Sequence, residues 1–330
     1  MTRSAWHRKP KPNKQQGQKS EVRRPPIIGA GSSFNLKPWW VSDWWLLDKQ
    51  GHSSDVVCDV GIVGDLAIAA ASIRGNSHRI KGLRCEDSFC LTTGATGEEA
   101  PFLVAVIGDG VGSAKYSAYG STRVTDLFAT KLASRLSEAD ELEEQLVDSA
   151  LAATAEEVQE AVKSWDSDDY LAPPEDPGEV SPAEFVTTLS FAVMPAYPSG
   201  DNESRPVYWG AVGDSPIFKL SDSGWEKVSA GVDGEVYDSA TEVFQGVTGL
   251  QKCITSRITN TEVLVLTTDG VGNCLVSEGK TLPVGLELGK RWLGPVEIEP
   301  FLSDLMFDFR GEDDDRTAVV CWLDRTRSVD

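Results

Sequence analysis

Apolar residues along this chain gather into short runs separated by turns rich in Gly and Asp, a pattern that builds sheets. Leu66 to Ile73, Ser88 to Thr92 and Phe102 to Ile107 read as strands, the last running into a Gly-rich turn. The pattern then switches to a helical period over Ser117 to Leu136 and over Glu141 to Trp165. In the second stretch Leu142, Leu146, Leu151, Val158 and Val162 recur along one face with acids opposite. Residues 166–182, crowded with Asp166, Asp168, Asp169, Pro173, Pro174, Glu175, Asp176 and Pro177, read as a solvated loop. Strands resume at Thr187 to Val193, Val207 to Val212, Ile217 to Leu220, Val263 to Thr267 and Thr317 to Trp322. Strands, a helix pair and strands again predict a layered sandwich of sheets and helices.

Charge divides the chain into regions. The first 24 residues carry eight basic side chains and one acid, Glu21, whereas the other 306 hold 23 bases and 50 acids. Residues 1–35 therefore read as a disordered basic tail, lacking the apolar residues to fold. Residues 36–60 hold Trp39, Trp40, Trp44 and Trp45 and read as an extension packing on the body, which occupies 61–330. Either the Trp-rich segment or the basic tail offers a docking surface for a partner. A net charge of −20 disfavours nucleic-acid binding. No apolar run is long enough to span a membrane, and the basic N-terminus lacks the apolar stretch of a secretory signal. Six scattered cysteines without a CxxC pair give no zinc site and suit a reducing compartment, so a cytoplasmic location is expected.

With only three histidines in 330 residues, carboxylates are the abundant reactive groups. Four acidic motifs stand at strand ends: Glu86-Asp87, Asp109-Gly110-Val111-Gly112, Asp269-Gly270 and Asp313-Asp314-Asp315. Each alone is an ordinary turn. Carboxylates beside apolar strands need compensation, and a hard divalent cation such as Mg or Mn supplies it through oxygen ligands.

The ordered set Glu86-Asp87-Ser88, Asp109-Gly110-Val111-Gly112, Thr187-Thr188-Leu189, Val212-Gly213-Asp214-Ser215, Thr268-Asp269-Gly270 and Asp314-Asp315-Arg316-Thr317-Ala318-Val319-Val320 resembles the metal-dependent protein serine/threonine phosphatases of type 2C, over about residues 66–323. The resemblance implies an α+β fold, a four-layer α-β-β-α sandwich of two central antiparallel sheets flanked by helices. It also implies two Mg or Mn ions and a weaker third. Asp109 matches the bridging carboxylate, Glu86 and the Gly110 carbonyl the ligands of one metal, and Asp269 and Asp314 those of the other. Asp87 matches the acid that orients water, and Asp214, with Asp269, the site of the third ion. The implied reaction is hydrolysis of phosphoserine or phosphothreonine in a protein by a water activated between two metals, opposing a cognate kinase.

Two features depart from the family pattern. Where many members carry a phosphate-gripping Arg, this chain has Gly82, with His78, Arg79, Lys81 and Arg84 around it. The stretch from Ser77 to Gly82 resembles a bacterial branch with an upstream histidine. His78 and Arg84 are thus the candidates to meet the phosphate, His78 also to protonate the leaving oxygen. Asp315 replaces a common Asn and either alters metal affinity or faces water, while Ser221 to Leu250 matches a variable flap. Two other readings stay open: a catalytically weak phosphatase-fold scaffold that binds a protein partner, and a phosphatase of small metabolites.

Overall fold

The computed structural model describes residues 55–139, 143–163, 182–198, 204–229, 251–309 and 311–326. The expectations for the tail 1–35, for most of 36–60, for the loop 166–181 and for 230–250 of the flap lie outside the described residues.

The described elements run in the order β1 (Val56–Val63), β2 (Leu66–Ile73), α1 (Asn76–Lys81), β3 (Asp87–Ala95), β4 (Pro101–Asp109), α2 (Ser117–Ser137), α3 (Glu144–Lys163), β5 (Leu189–Pro195), β6 (Ser204–Val212), β7 (Ile217–Ser221) and β8 (Gly224–Lys227). They continue with β9 (Gln251–Thr259), β10 (Val263–Thr267), α4 (Asp269–Leu275), the short β11 (Val276–Ser277) and β12 (Lys280–Thr281), α5 (Pro283–Arg291), α6 (Ile298–Leu305) and β13 (Arg316–Trp322). Two large antiparallel sheets result, one in the order β1-β2-β13-β10-β7-β8 and one in the order β3-β4-β5-β6-β9, beside the small β11-β12 ribbon.

The unbroken apolar runs are explained by three stacked apolar layers. Along β4, Leu103, Ala105 and Ile107 face β2 residues Leu66, Ile68 and Ala70 between the sheets. The alternate residues Phe102, Val104 and Val106 pack outward under α2 and α3. On the far side Ala67, Ala69 and Ala71 of β2 lie under α4, α5 and α6. The middle of each central strand is therefore a continuous apolar run, because both of its faces are covered. The α+β sandwich of two antiparallel sheets with outer helices stands as expected.

Several elements depart from the sequence reading. β1 straddles the boundary placed at residue 60, since all eight of its residues pair with β2. It is an edge strand, with Val57, Val60 and Ile62 exposed. The helices α4, α5 and α6 build one whole outer layer, although each spans only seven to nine residues. Arg205 is fully buried, its guanidinium donating to the carbonyls of Pro195, Ala196 and Leu323 and so tying the ends of β5 and β13 together. Among the described residues no helix is long and apolar enough to cross a membrane.

Candidate functional site

The acids of all four sequence motifs converge at one end of the two sheets, because the pairing registers bring the strand ends level. In the β3–β4 pair Asp87 lies opposite Asp109. β10 pairs with β13 so that Thr267 meets Ala318, which places Asp269, at the start of α4, beside the 313–315 turn. β13 pairs with β2, Arg316 opposite Ile73, so the segment that follows β2, including α1, reaches the same end.

Hydroxyls and backbone groups fix the acids. Thr268 donates to Asp87 Oδ2 at 2.7 Å and accepts from the Thr317 N–H at 3.0 Å. The Asp109 N–H donates to Thr188 Oγ1 at 2.9 Å, while the Thr187 hydroxyl and the Thr188 N–H donate to the Asp109 carbonyl at 2.9 and 2.8 Å. Gly110 donates its N–H to the Glu86 carbonyl at 3.0 Å, and Ser121 donates to the same oxygen. Gly270 packs so closely under the turn that a Cβ there would meet the Asp315 carbonyl at 2.0 Å.

Electrostatically these acids are under strain. Burial first, and then the Asp315 charge, hold the Asp87 carboxyl well above the usual carboxylate range. Burial and the charges of Asp87 and Asp269 do the same for Asp109. Asp269 is pushed up by burial and by Asp314, with Asp214 adding a smaller push. Asp109 and Asp269 approach closely enough to share a hydrogen bond, which needs a proton between them. Glu86 is raised by burial, and its Oε2 is buried without a hydrogen-bond partner. Such a set of repelling carboxylates fits divalent cations, which would relieve the repulsion and take up the unpartnered oxygen.

The structure thus brings together Glu86, Asp87, Asp109, Asp269 and Asp314, of which Asp314 is exposed to the outside of the cluster. Asp214 is exposed and acts on Asp269, and Gly110 sits next to Asp109 against Thr187. His78 is buried, its Nδ1 2.8 Å from Asp315 Oδ2 and its Nε2 3.8 Å from Glu86 Oε2. The Asp315 hydrogen bond holds the His78 pKa above its usual value. Arg84 is half-buried and makes no ion pair with the site carboxylates among the described residues. Gly82 ends α1 in the left-handed region at φ 69°, a conformation that disfavours an Arg at this place.

One acid, Glu312, escaped the sequence reading, and of the two alternatives read for Asp315 the water-facing one is corrected. Asp315 faces neither a vacant ligand position nor water: it is 2% exposed and accepts three hydrogen bonds. Ligand atoms of His78, Asp314 and Asp315 lie within 4.8 Å of one another, but both Asp315 oxygens are already taken by N–H donors. Glu312 joins the edge of the cluster, where burial and the charges of Asp269 and Asp314 lift it to about 7. Its position just ahead of three aspartates was the available signal.

Residues 74–306 match the family profile described as Protein phosphatase 2C. Comparison with curated proteins gives no match. Among solved structures, a bacterial serine phosphatase is similar at 15% identity with a TM-score of 0.49, covering 79% of this chain and 99% of its own. The S. agalactiae serine/threonine phosphatase is similar at 14% identity with a TM-score of 0.44, covering 78% and 99%. The catalytic domain of the serine threonine protein phosphatase PstP, solved with two manganese ions, is similar at 17% identity with a TM-score of 0.45, covering 78% and 97%.

Proposed function

The chain belongs to the protein phosphatase 2C family and is a protein serine/threonine phosphatase, and from that premise we propose that it hydrolyses phosphoserine and phosphothreonine through two divalent cations held by its strand-end acids. One observation carries the reading: five carboxylates from four chain segments crowd together at the place where the sheets end, and those of Glu86, Asp87, Asp109 and Asp269 are raised by burial and by their neighbours' charges. Asp109, Glu86 and the Gly110 carbonyl are the residues that would hold one Mg or Mn, Asp269 and Asp314 the other, and Asp214 with Asp269 a weaker third. When bound, the cations supply neutralisation of phosphoryl charge and a water acidic enough to act as a nucleophile near neutral pH.

The chain's own residues supply the positioning. Thr268 occupies one oxygen of Asp87, so the other is left to accept a proton from the attacking water. The backbone clamps on Asp109 keep its carboxylate in place against its neighbours. His78 and Arg84 lie on the segment leading to Glu86 and are the groups assigned to the substrate's phosphoryl oxygens. A phosphoprotein substrate requires a protein kinase as its source. The described cysteines are all free thiols, which supports a reducing, cytoplasmic setting.

The test is hydrolysis of an aryl phosphate, a phosphothreonine peptide and sugar phosphates with Mn, with Mg and with chelator, in wild type and Asp269→Asn. Metal-dependent turnover of the peptide that disappears in the variant is expected. Absence of turnover in wild type, with the fold intact, would overturn the proposal.

A further inference from the structure

Asp315 lies behind the site and ties together a segment that is otherwise remote from it in sequence. Its Oδ1 accepts the Gly75 N–H at 2.6 Å, and its Oδ2 accepts the Glu86 N–H at 2.5 Å and faces His78 Nδ1 at 2.8 Å. These donors come from the start of α1, from its middle and from the residue before β3, so one carboxylate holds the whole 75–86 segment. Next to it the Asp313 carbonyl accepts the Ser77 N–H at 2.9 Å, and the Asp315 N–H donates to Asp314 Oδ1 at 2.9 Å. The opposite ring nitrogen of His78 faces Glu86 Oε2 at 3.8 Å. The imidazole therefore stands between Asp315 and the side chain of Glu86.

The donor count explains why the residue is an acid. Both oxygens of a carboxylate accept, whereas an Asn offers one accepting oxygen and an NH2 that would point at an N–H whichever way it turned. Asn cannot satisfy Gly75, Glu86 and His78 together.

We propose that Asp315 is a positioning residue that, through the Glu86 backbone and the His78 ring, presents the Glu86 carboxylate to a divalent cation and so sets the affinity of the site for metal. This rests on the reading of Glu86 as a metal ligand. Groups that orient a ligand from behind commonly control metal affinity by ten- to a hundredfold, because a ligand free to turn away pays for its ordering on binding.

Isothermal titration of Mn into the full-length protein tests this, with kcat and KM for p-nitrophenyl phosphate measured at saturating Mn in wild type, Asp315→Asn, His78→Leu, His78→Asn and the double variant Asp315→Asn/His78→Leu. Asp315→Asn and His78→Leu are each expected to raise the Mn Kd about ten- to a hundredfold, and Asp315→Asn to lower kcat at saturating Mn by less than about threefold. His78→Asn, which keeps an N–H near the Nδ1 position, should stay within about threefold of the wild-type Kd, and the double variant should be no worse than the poorer single variant. Wild-type Mn affinity in both Asp315→Asn and His78→Leu overturns the proposal, as do losses that multiply in the double variant. If circular dichroism shows Asp315→Asn unfolded, the two His78 variants decide by the same criterion. A wild type that neither binds Mn nor turns over overturns the phosphatase reading instead, which separates the two failures.

Discussion

Replacing Gly270 by Ala sets two effects of opposite sign against each other. Gly270 is the second residue of α4, and by helix propensity alone Ala would stabilise the protein by about 1 kcal/mol. Against that, the new Cβ would stand 2.0 Å from the Asp315 carbonyl, with Asp314 Cβ at 3.6 Å. The obstacle is backbone, so α4 and the 313–315 turn must separate by about 1 Å or more before ordinary contact is restored, at a cost of about 1–3 kcal/mol. That shift moves Asp314 away from Asp269, and a misplacement of about 1 Å at reacting groups costs about a hundredfold in rate. The two effects leave a net loss of about 0–2 kcal/mol, so the expected result is a melting temperature lowered by up to about 4 °C and kcat/KM lowered about a hundredfold with Mn saturating. Calorimetry and steady-state kinetics measure the two. A Gly270→Ala protein as active as wild type and more stable would refute the close-packing argument.

Other outcomes follow from single contacts. Arg205→Met should cost about 3–5 kcal/mol in urea unfolding, because three buried carbonyls lose their donor, while activity per folded molecule holds; an unchanged midpoint contradicts this. Thr268→Val should lower kcat about tenfold or more with little change in Mn affinity, since it frees Asp87 Oδ2 and strands the Thr317 N–H; a pure loss of Mn binding would point to a different role. Saturating Mn at about 100 times its Kd should raise stability by about 2.7 kcal/mol, and Asp269→Asn should lose most of that gain in a thermal-shift assay. For metal-free protein, the Glu312 carboxyl at about 7 lies above its unfolded value of 4.5. The folded state keeps this proton longer, so stability falls as pH rises from about 4.5 to about 7. Glu312→Gln should flatten that part of the melting-temperature profile, and an identical slope in the variant would sink the assignment.

What the sequence could and could not convey follows from burial. β2 and β10 have the bounds read from the sequence, because strands covered on both faces are almost wholly apolar and stand out as runs. The boundary read at residue 60 cuts through β1, whose apolar run is interrupted by Asp59 and Gly61, as an exposed edge position tolerates. The Asp-Gly-Val-Gly start of α4 reads as a turn, and what makes it helical is close packing at Gly270 and Gly272, a tertiary effect invisible to propensity. The site acids were legible as a set by their strand-end positions. Their division of labour was not: Asp314 and Asp315 are adjacent and identical, yet one is exposed and the other 2% exposed, because successive residues entering β13 point to opposite sides. Only the register of β13 against β2 decides which aspartate turns inward.

The neutral side chains at this end of the molecule do as much for the site as the acids. A group of carboxylates that repel one another would relax by rotating apart, and every such rotation would have to be reversed when cations arrive. Thr187, Thr188, Thr268 and Thr317 all stand at strand ends and are buried, and their hydroxyls are engaged with Asp109, with Asp87 or with Ser72, whose own hydroxyl reaches the Asp87 carbonyl. Thr188 is further locked to Ser215 at 2.7 Å, which joins the β4–β5 end to the turn after β6. These bonds form whether or not a cation is present, so the ordering cost is met on folding rather than on binding. The repulsion that remains is stored in raised carboxyls and is released when metal replaces protons. Metal binding should therefore release protons, in a number that falls when Asp87, Asp109 or Asp269 is made neutral.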